Sequence, residues 1–127
     1  MEENARILSE KVEELYKQSK FEEIIALLTD EVLEKQNDAE LFTWRARANY
    51  WLGDDATISM LFAEKALEVD PNYAEAYNIK GIIWYIRDEY DKAIQNYTKA
   101  IKINSNYEMA FYNRGLALFA KKNMLKL

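Results

Sequence analysis

Two fifteen-residue segments of this chain, 34 positions apart, follow the same pattern of aromatic and small residues. "AYNIKGIIWYIRDEY" begins at Ala76 and "AFYNRGLALFAKKNM" at Ala110. Gly81 pairs with Gly115, Tyr77 with Phe111 and Tyr85 with Phe119. A third copy starts at Ala39, 35 residues before Ala74, and puts Phe42 on Tyr77, Ala46 on Gly81 and Tyr50 on Tyr85. The extra residue falls in "LGDDAT", Leu52 to Thr57. The weakest copy begins near Ala5. A unit this short cannot bury a core alone, so copies must stack on their neighbours.

The unit is helical. The whole chain has three glycines and one proline. Ala93, Ile94, Tyr97, Ala100 and Ile101 recur at three- and four-residue spacing, one face of an amphipathic helix. No stretch alternates with period two, so the chain is all-α. The pattern predicts seven helices, over about 3–18, 21–35, 39–52, 55–69, 73–87, 90–103 and 107–123. Asn37 with Glu40, Asn72 with Glu75, and Ser105 with Glu108 read as capping pairs. Connections as short as "SKF" and "RDEY" make neighbouring helices antiparallel. Gly81 and Gly115 then fall inside helices, where each costs ~1 kcal/mol relative to alanine. Something must require the missing side chain.

These residues resemble the tetratricopeptide repeat: a large aromatic, a small residue four later, then aromatics and alanines. The pattern reads Tyr77, Gly81, Trp84, Tyr90, Ala93, Tyr97 and Ala100 in the third unit. The second has Phe42, Ala46, Ala66 and Pro71. The fourth has Phe111, Gly115 and Leu118. The first departs from it, with Val12 at the small position. The resemblance implies an α-solenoid of three helical hairpins plus a C-terminal capping helix, wound as a right-handed superhelix. The units fall at about 5–38, 39–73 and 74–107, with a terminal helix at about 108–123, in a single domain over 1–127. It also explains the glycines as sites of close helix approach, with Ala93 supplying the facing surface.

The resemblance further implies that the first helix of each unit lines a concave surface where a partner protein or peptide binds. Carried over residue by residue, that surface holds Trp44, Arg47, Trp51, Asn78, Ile79, Ile82, Tyr85, Ile86, Tyr112 and Asn113. Contiguous apolar and aromatic surface of this kind marks interaction sites. The column Tyr16, Tyr50, Tyr85 and Phe119 reads instead as packing between repeats. The expected function is a protein-interaction module. The alternatives are a self-associating scaffold or the repeat segment of a longer multidomain protein.

Some members of the family grip the acidic C-terminus of Hsp70 or Hsp90 with a clamp of Lys, Asn and Arg. The matching positions here are Ser9, Glu13, Trp44, Glu75 and Ile79. One unit later they are Thr43, Arg47, Ile79, Met109 and Asn113. Only Arg47 and Asn113 suit a carboxylate, which argues against chaperone-tail binding.

Composition excludes several other classes. With no Cys and no His, thiol and imidazole nucleophiles and the common zinc sites are absent. The pairs Glu13–Glu14, Glu22–Glu23 and Asp54–Asp55 fall on solvent faces and turns. No enzyme activity, metal or cofactor is expected. Net charge is −5, against phosphate-backbone binding. No apolar run approaches the ~20 residues of a membrane span and no signal core opens the chain, so a cytoplasmic location is expected.

Overall fold

The computed structural model describes residues 4–53 and 56–124. They hold eight helices and no strand. The chain divides into two compact units, Met1–Pro71 and Asn72–Leu127.

The first unit contains α1 (Ala5–Lys17), α2 (Phe21–Leu27), α3 (Asp30–Gln36), α4 (Ala39–Trp51) and α5 (Ala56–Val69). Asn4 starts α1, its side-chain oxygen accepting from Ile7 N at 3.0 Å. Val12 is fully buried at the position that is small in the other copies. In α4 that position is Ala46, also fully buried, and its carbonyl accepts from Ser59 Oγ of α5 at 2.8 Å. Phe42 and Phe62 stack across α4 and α5, with ring centroids 6.4 Å apart.

Eight helices replace the expected seven because the stretch 21–35 breaks at Leu28 and Thr29. Thr29 is a ready N-cap: its hydroxyl accepts from Val32 N at 3.3 Å, and Asp30 and Glu31 follow in the first turn of α3. Such a residue competes with helix continuation. Leu28 turns out of the helix at φ −100, ψ 64, while its side chain stays fully buried. Its freed carbonyl accepts from Arg45 Nη1 at 2.7 Å. Arg45 also donates from Nε to Asn49 at 3.0 Å, lies 3.7 Å from Asp30 and covers the Phe62 ring at 4.7 Å. Burial lowers its pKa, and the Asp30 carboxylate opposes that shift.

The second unit contains α6 (Ala74–Ile86), α7 (Tyr90–Ile103) and α8 (Glu108–Met124). A Cβ built on Gly81 would overlap Cδ1 and Cε1 of the Tyr97 ring and come within 2.9 Å of Cζ. The close approach therefore exists, but the facing group is Tyr97 of α7, rather than Ala93. Both residues belong to one buried cluster with Ala117. Gly115 differs: no atom lies within 4 Å of a Cβ built there.

Two capping pairs are corrected by the structure. Asp38 caps α4, accepting from Leu41 N at 3.0 Å, while Asn37 ends α3 in the left-handed region at φ 48. At the start of α6, Tyr73 occupies the cap position without a side-chain cap bond. Ahead of α8, Asn104 Oδ1 accepts from Asn106 N at 3.1 Å. Asp54 and Asp55, within the segment assigned the extra residue, lie outside the described residues.

The repeat is also written in the backbone. Ser19, Gly53 and Asp88 all have positive φ, at 57, 75 and 62. Their numbers step by 34 and then 35. Each ends the first helix of a repeat, and each amide donates three residues back, to Tyr16, Tyr50 and Tyr85. Only glycine takes this conformation without steric cost. Ser19→Gly is expected to raise stability by about 0.5 kcal/mol, the left-handed penalty relieved minus the entropy glycine adds to the unfolded chain. The check is a thermal melt, where a fall in midpoint would contradict it.

Candidate functional site

The residues expected on the binding face separate by unit. In the first, Trp44 is only 8% exposed. Its indole N–H donates to Ser9 Oγ at 3.1 Å, and Ser9 in turn donates to Glu40 at 2.7 Å. The Trp44 ring packs 5.1 Å from Tyr16, and the Arg47 guanidinium covers it at 4.8 Å. Trp51 is 56% exposed, yet held on three sides. It stacks 6.2 Å from Phe21, meets Tyr50 edge-on at 5.3 Å and donates from Nε1 to the Tyr16 hydroxyl at 2.8 Å. Tyr16 thus joins both tryptophans. Beside this aromatic group Ser9, Glu10, Glu13, Asp38 and Glu40 line an open cleft of about 300 Å³.

In the second unit Asn78 and Ile79 are buried at 5% each. Asn113 Nδ2 donates to Asn78 Oδ1 at 3.1 Å, tying α8 to α6. Ile82 and Tyr85 are half-buried against the Tyr97 cluster. Ile86 is 49% and Tyr112 65% exposed. Of the packing column, Tyr16, Tyr50 and Tyr85 are half-buried, while Phe119 is 66% exposed.

A side-chain ladder between first helices was missed at the sequence level. Ser9–Trp44, Tyr16–Trp51 and Asn78–Asn113 are hydrogen bonds between residues 35 apart. The signal available was a polar group recurring one repeat plus one residue later. It holds neighbouring first helices in register and uses the polar atoms of residues expected to face a ligand.

Charge is divided between the units. Residues 1–71 hold 8 Lys and Arg against 17 Asp and Glu, and residues 72–127 hold 9 against 5. No helix among the described residues is long and apolar enough to cross a membrane.

Helix pairs repeated about every 34 residues, with side-chain bonds between first helices inside each unit, define a helical-repeat module for protein–protein interaction. Residues 81–122 match the family model described as TPR repeat. The chain belongs to the tetratricopeptide-repeat family. It is 31% identical over 97 residues to an Hsp70-Hsp90 organizing protein of Triticum aestivum, an alignment spanning 76% of this chain and 16% of that protein. The first TPR of Spaghetti (RPAP3) bound to the HSP90 peptide SRMEEVD superposes with a TM-score of 0.80, at 23% identity, over 94% of each chain. The TPR2B domain of yeast Sti1 in its complex with pHsp70 superposes with a TM-score of 0.75, at 22% identity, over 92% of this chain and 98% of that one. At these identities the two structures share the fold.

They overturn the expectation against chaperone-tail binding, because domains of this same fold hold an HSP90 peptide and pHsp70. Burial accounts for part of the error. Ser9, Trp44, Thr43 and Ile79, four of the positions consulted, are 8%, 8%, 0% and 5% exposed. A residue packed inside cannot report whether the surface offers a cation.

Proposed function

We propose that this chain is a peptide-binding module of the co-chaperone type, taking the acidic C-terminal segment of an Hsp70- or Hsp90-class chaperone. The observation that carries the reading is the 31% identity to an Hsp70-Hsp90 organizing protein along 76% of the chain. The proposed seat is on the second unit. Its excess of cations attracts an acidic segment over a Debye length of ~8–10 Å. Asn113, half-buried and positioned by its bond to the buried Asn78, offers its amide oxygen to an extended peptide backbone. Ile82, Ile86 and Tyr112 give a shallow apolar surface for a side chain such as the methionine of SRMEEVD. Ile79, 5% exposed, serves this seat from beneath, as packing. Arg47 and Trp51 form a separate candidate contact on the first unit. The cytoplasmic location expected from the sequence belongs to this proposal.

The test is calorimetric titration with the peptide SRMEEVD. Binding is expected with a Kd of roughly 1–100 µM, weakening steeply with salt. A peptide lacking the last two residues is expected to bind far less. Asn113→Asp places a carboxylate at the seat and is expected to lower affinity about ten-fold with helicity unchanged. No binding at low salt, or equal binding of the shortened peptide, would reject the reading.

A further inference from the structure

The eighth helix presents a broad apolar face that its own unit leaves uncovered. Phe111, Tyr112, Leu116, Leu118 and Phe119 are 44%, 65%, 39%, 50% and 66% exposed, while Ala110 and Ala117 on the opposite side are fully buried. At 100° per residue the five fall on one arc, with Gly115 near its middle. The three aromatic rings alone expose roughly 260–440 Å², taking 150–250 Å² for a whole ring. The two leucines add to that, against the ~800 Å² each partner gives to a specific interface.

The repeat itself shows what this surface lacks. Gly81 is filled by the Tyr97 ring, and the same position at Gly115 has nothing within 4 Å.

The pattern along α8 is self-complementary. We propose that α8 pairs antiparallel with α8 of a second copy, crossing at Gly115 in a two-fold symmetric dimer. About a centre at residue 115, residue i of one copy faces residue 230 − i of the other. Phe119 then faces Phe111, and Tyr112 faces Leu118. Glu108 faces Lys122, once at each end. Lys121 is already committed to Asp91 at 2.7 Å, whereas Glu108 and Lys122 have no ion-pair partner within the described residues. Charge complementarity therefore closes both ends of an apolar strip, and the glycine lets the two backbones approach. A head-to-tail contact is disfavoured: the outward side of α1 carries Arg6, Glu10, Lys11 and Glu14, all exposed, and offers no apolar match.

This pairing does not rest on the chaperone-tail reading and is measured without peptide. Sedimentation equilibrium of the 127-residue chain is expected to give a monomer–dimer equilibrium with a Kd of order 10–100 µM. K122E sets two carboxylates against each other at each end and is expected to weaken pairing about ten-fold. The double variant E108K/K122E restores opposite charges and is expected to recover pairing to within about three-fold. Gly115→Ala separates interface from fold: it raises the melting temperature of the dilute monomer and weakens the dimer. A monomer at ten times the expected Kd overturns the proposal. So does a dimer indifferent to K122E, or one that the double variant fails to rescue.

Discussion

Gly81→Leu is expected to destabilise the chain by at least ~3 kcal/mol, while Gly115→Leu leaves the dilute monomer as stable or more so. Both substitutions recover the ~1 kcal/mol that glycine costs inside a helix. At Gly81 that gain is overwhelmed. The first added carbon would already overlap the Tyr97 ring, and the ring is 2% exposed, so it has no open space to enter. Ala93 and Ala117 belong to the same buried cluster, with Ile82 and Trp84 packed against it. Forcing extra carbons into such a core costs ~1–3 kcal/mol, and more where the neighbour cannot move. At Gly115 the new side chain meets no atom within 4 Å. Urea unfolding of the two variants at low concentration decides the matter. Equal shifts would mean that the close approach at Gly81 is not what demands glycine there.

Trp44→Ala is expected to cost ~3–5 kcal/mol, the range for truncating a buried aromatic. The indole is 8% exposed, packs on Tyr16 and donates to Ser9. Its removal opens a cavity and deprives Arg47 of the ring it covers. Trp51→Ala, at a residue 56% exposed, is expected to cost about 1 kcal/mol or less, since much of its area already faces water. The two tryptophans occupy neighbouring positions on the expected binding face, yet only the second suits a binding experiment. Circular dichroism against urea for both variants provides the check, and similar midpoints would contradict the burial difference.

Helix content and the repeat register were legible from residue spacing alone. The copies around Gly81 and Gly115 placed the helices, and the left-handed residues Ser19, Gly53 and Asp88 follow the same 34- and 35-residue steps. A helix is set by local preference and one apolar face, and both are written in neighbouring residues. The break at Thr29 was missed, the stretch 21–35 being read as one helix, although Thr-Asp-Glu is a capping sequence. What holds the break open is Arg45, seventeen residues beyond the Leu28 carbonyl it binds. That contact exists only once α4 lies beside α2.

The chemical role of individual side chains was decided by the tertiary structure. Gly81 and Gly115 occupy equivalent positions in the repeat. One is covered by Tyr97 and the other faces open space. Trp44 and Trp51 lie on one helix, and Ser9 and Tyr16 on another helix determine which indole is enclosed. Spacing along a chain specifies which face a residue is on. What covers that face depends on elements distant in sequence, and therefore on how the helices pack.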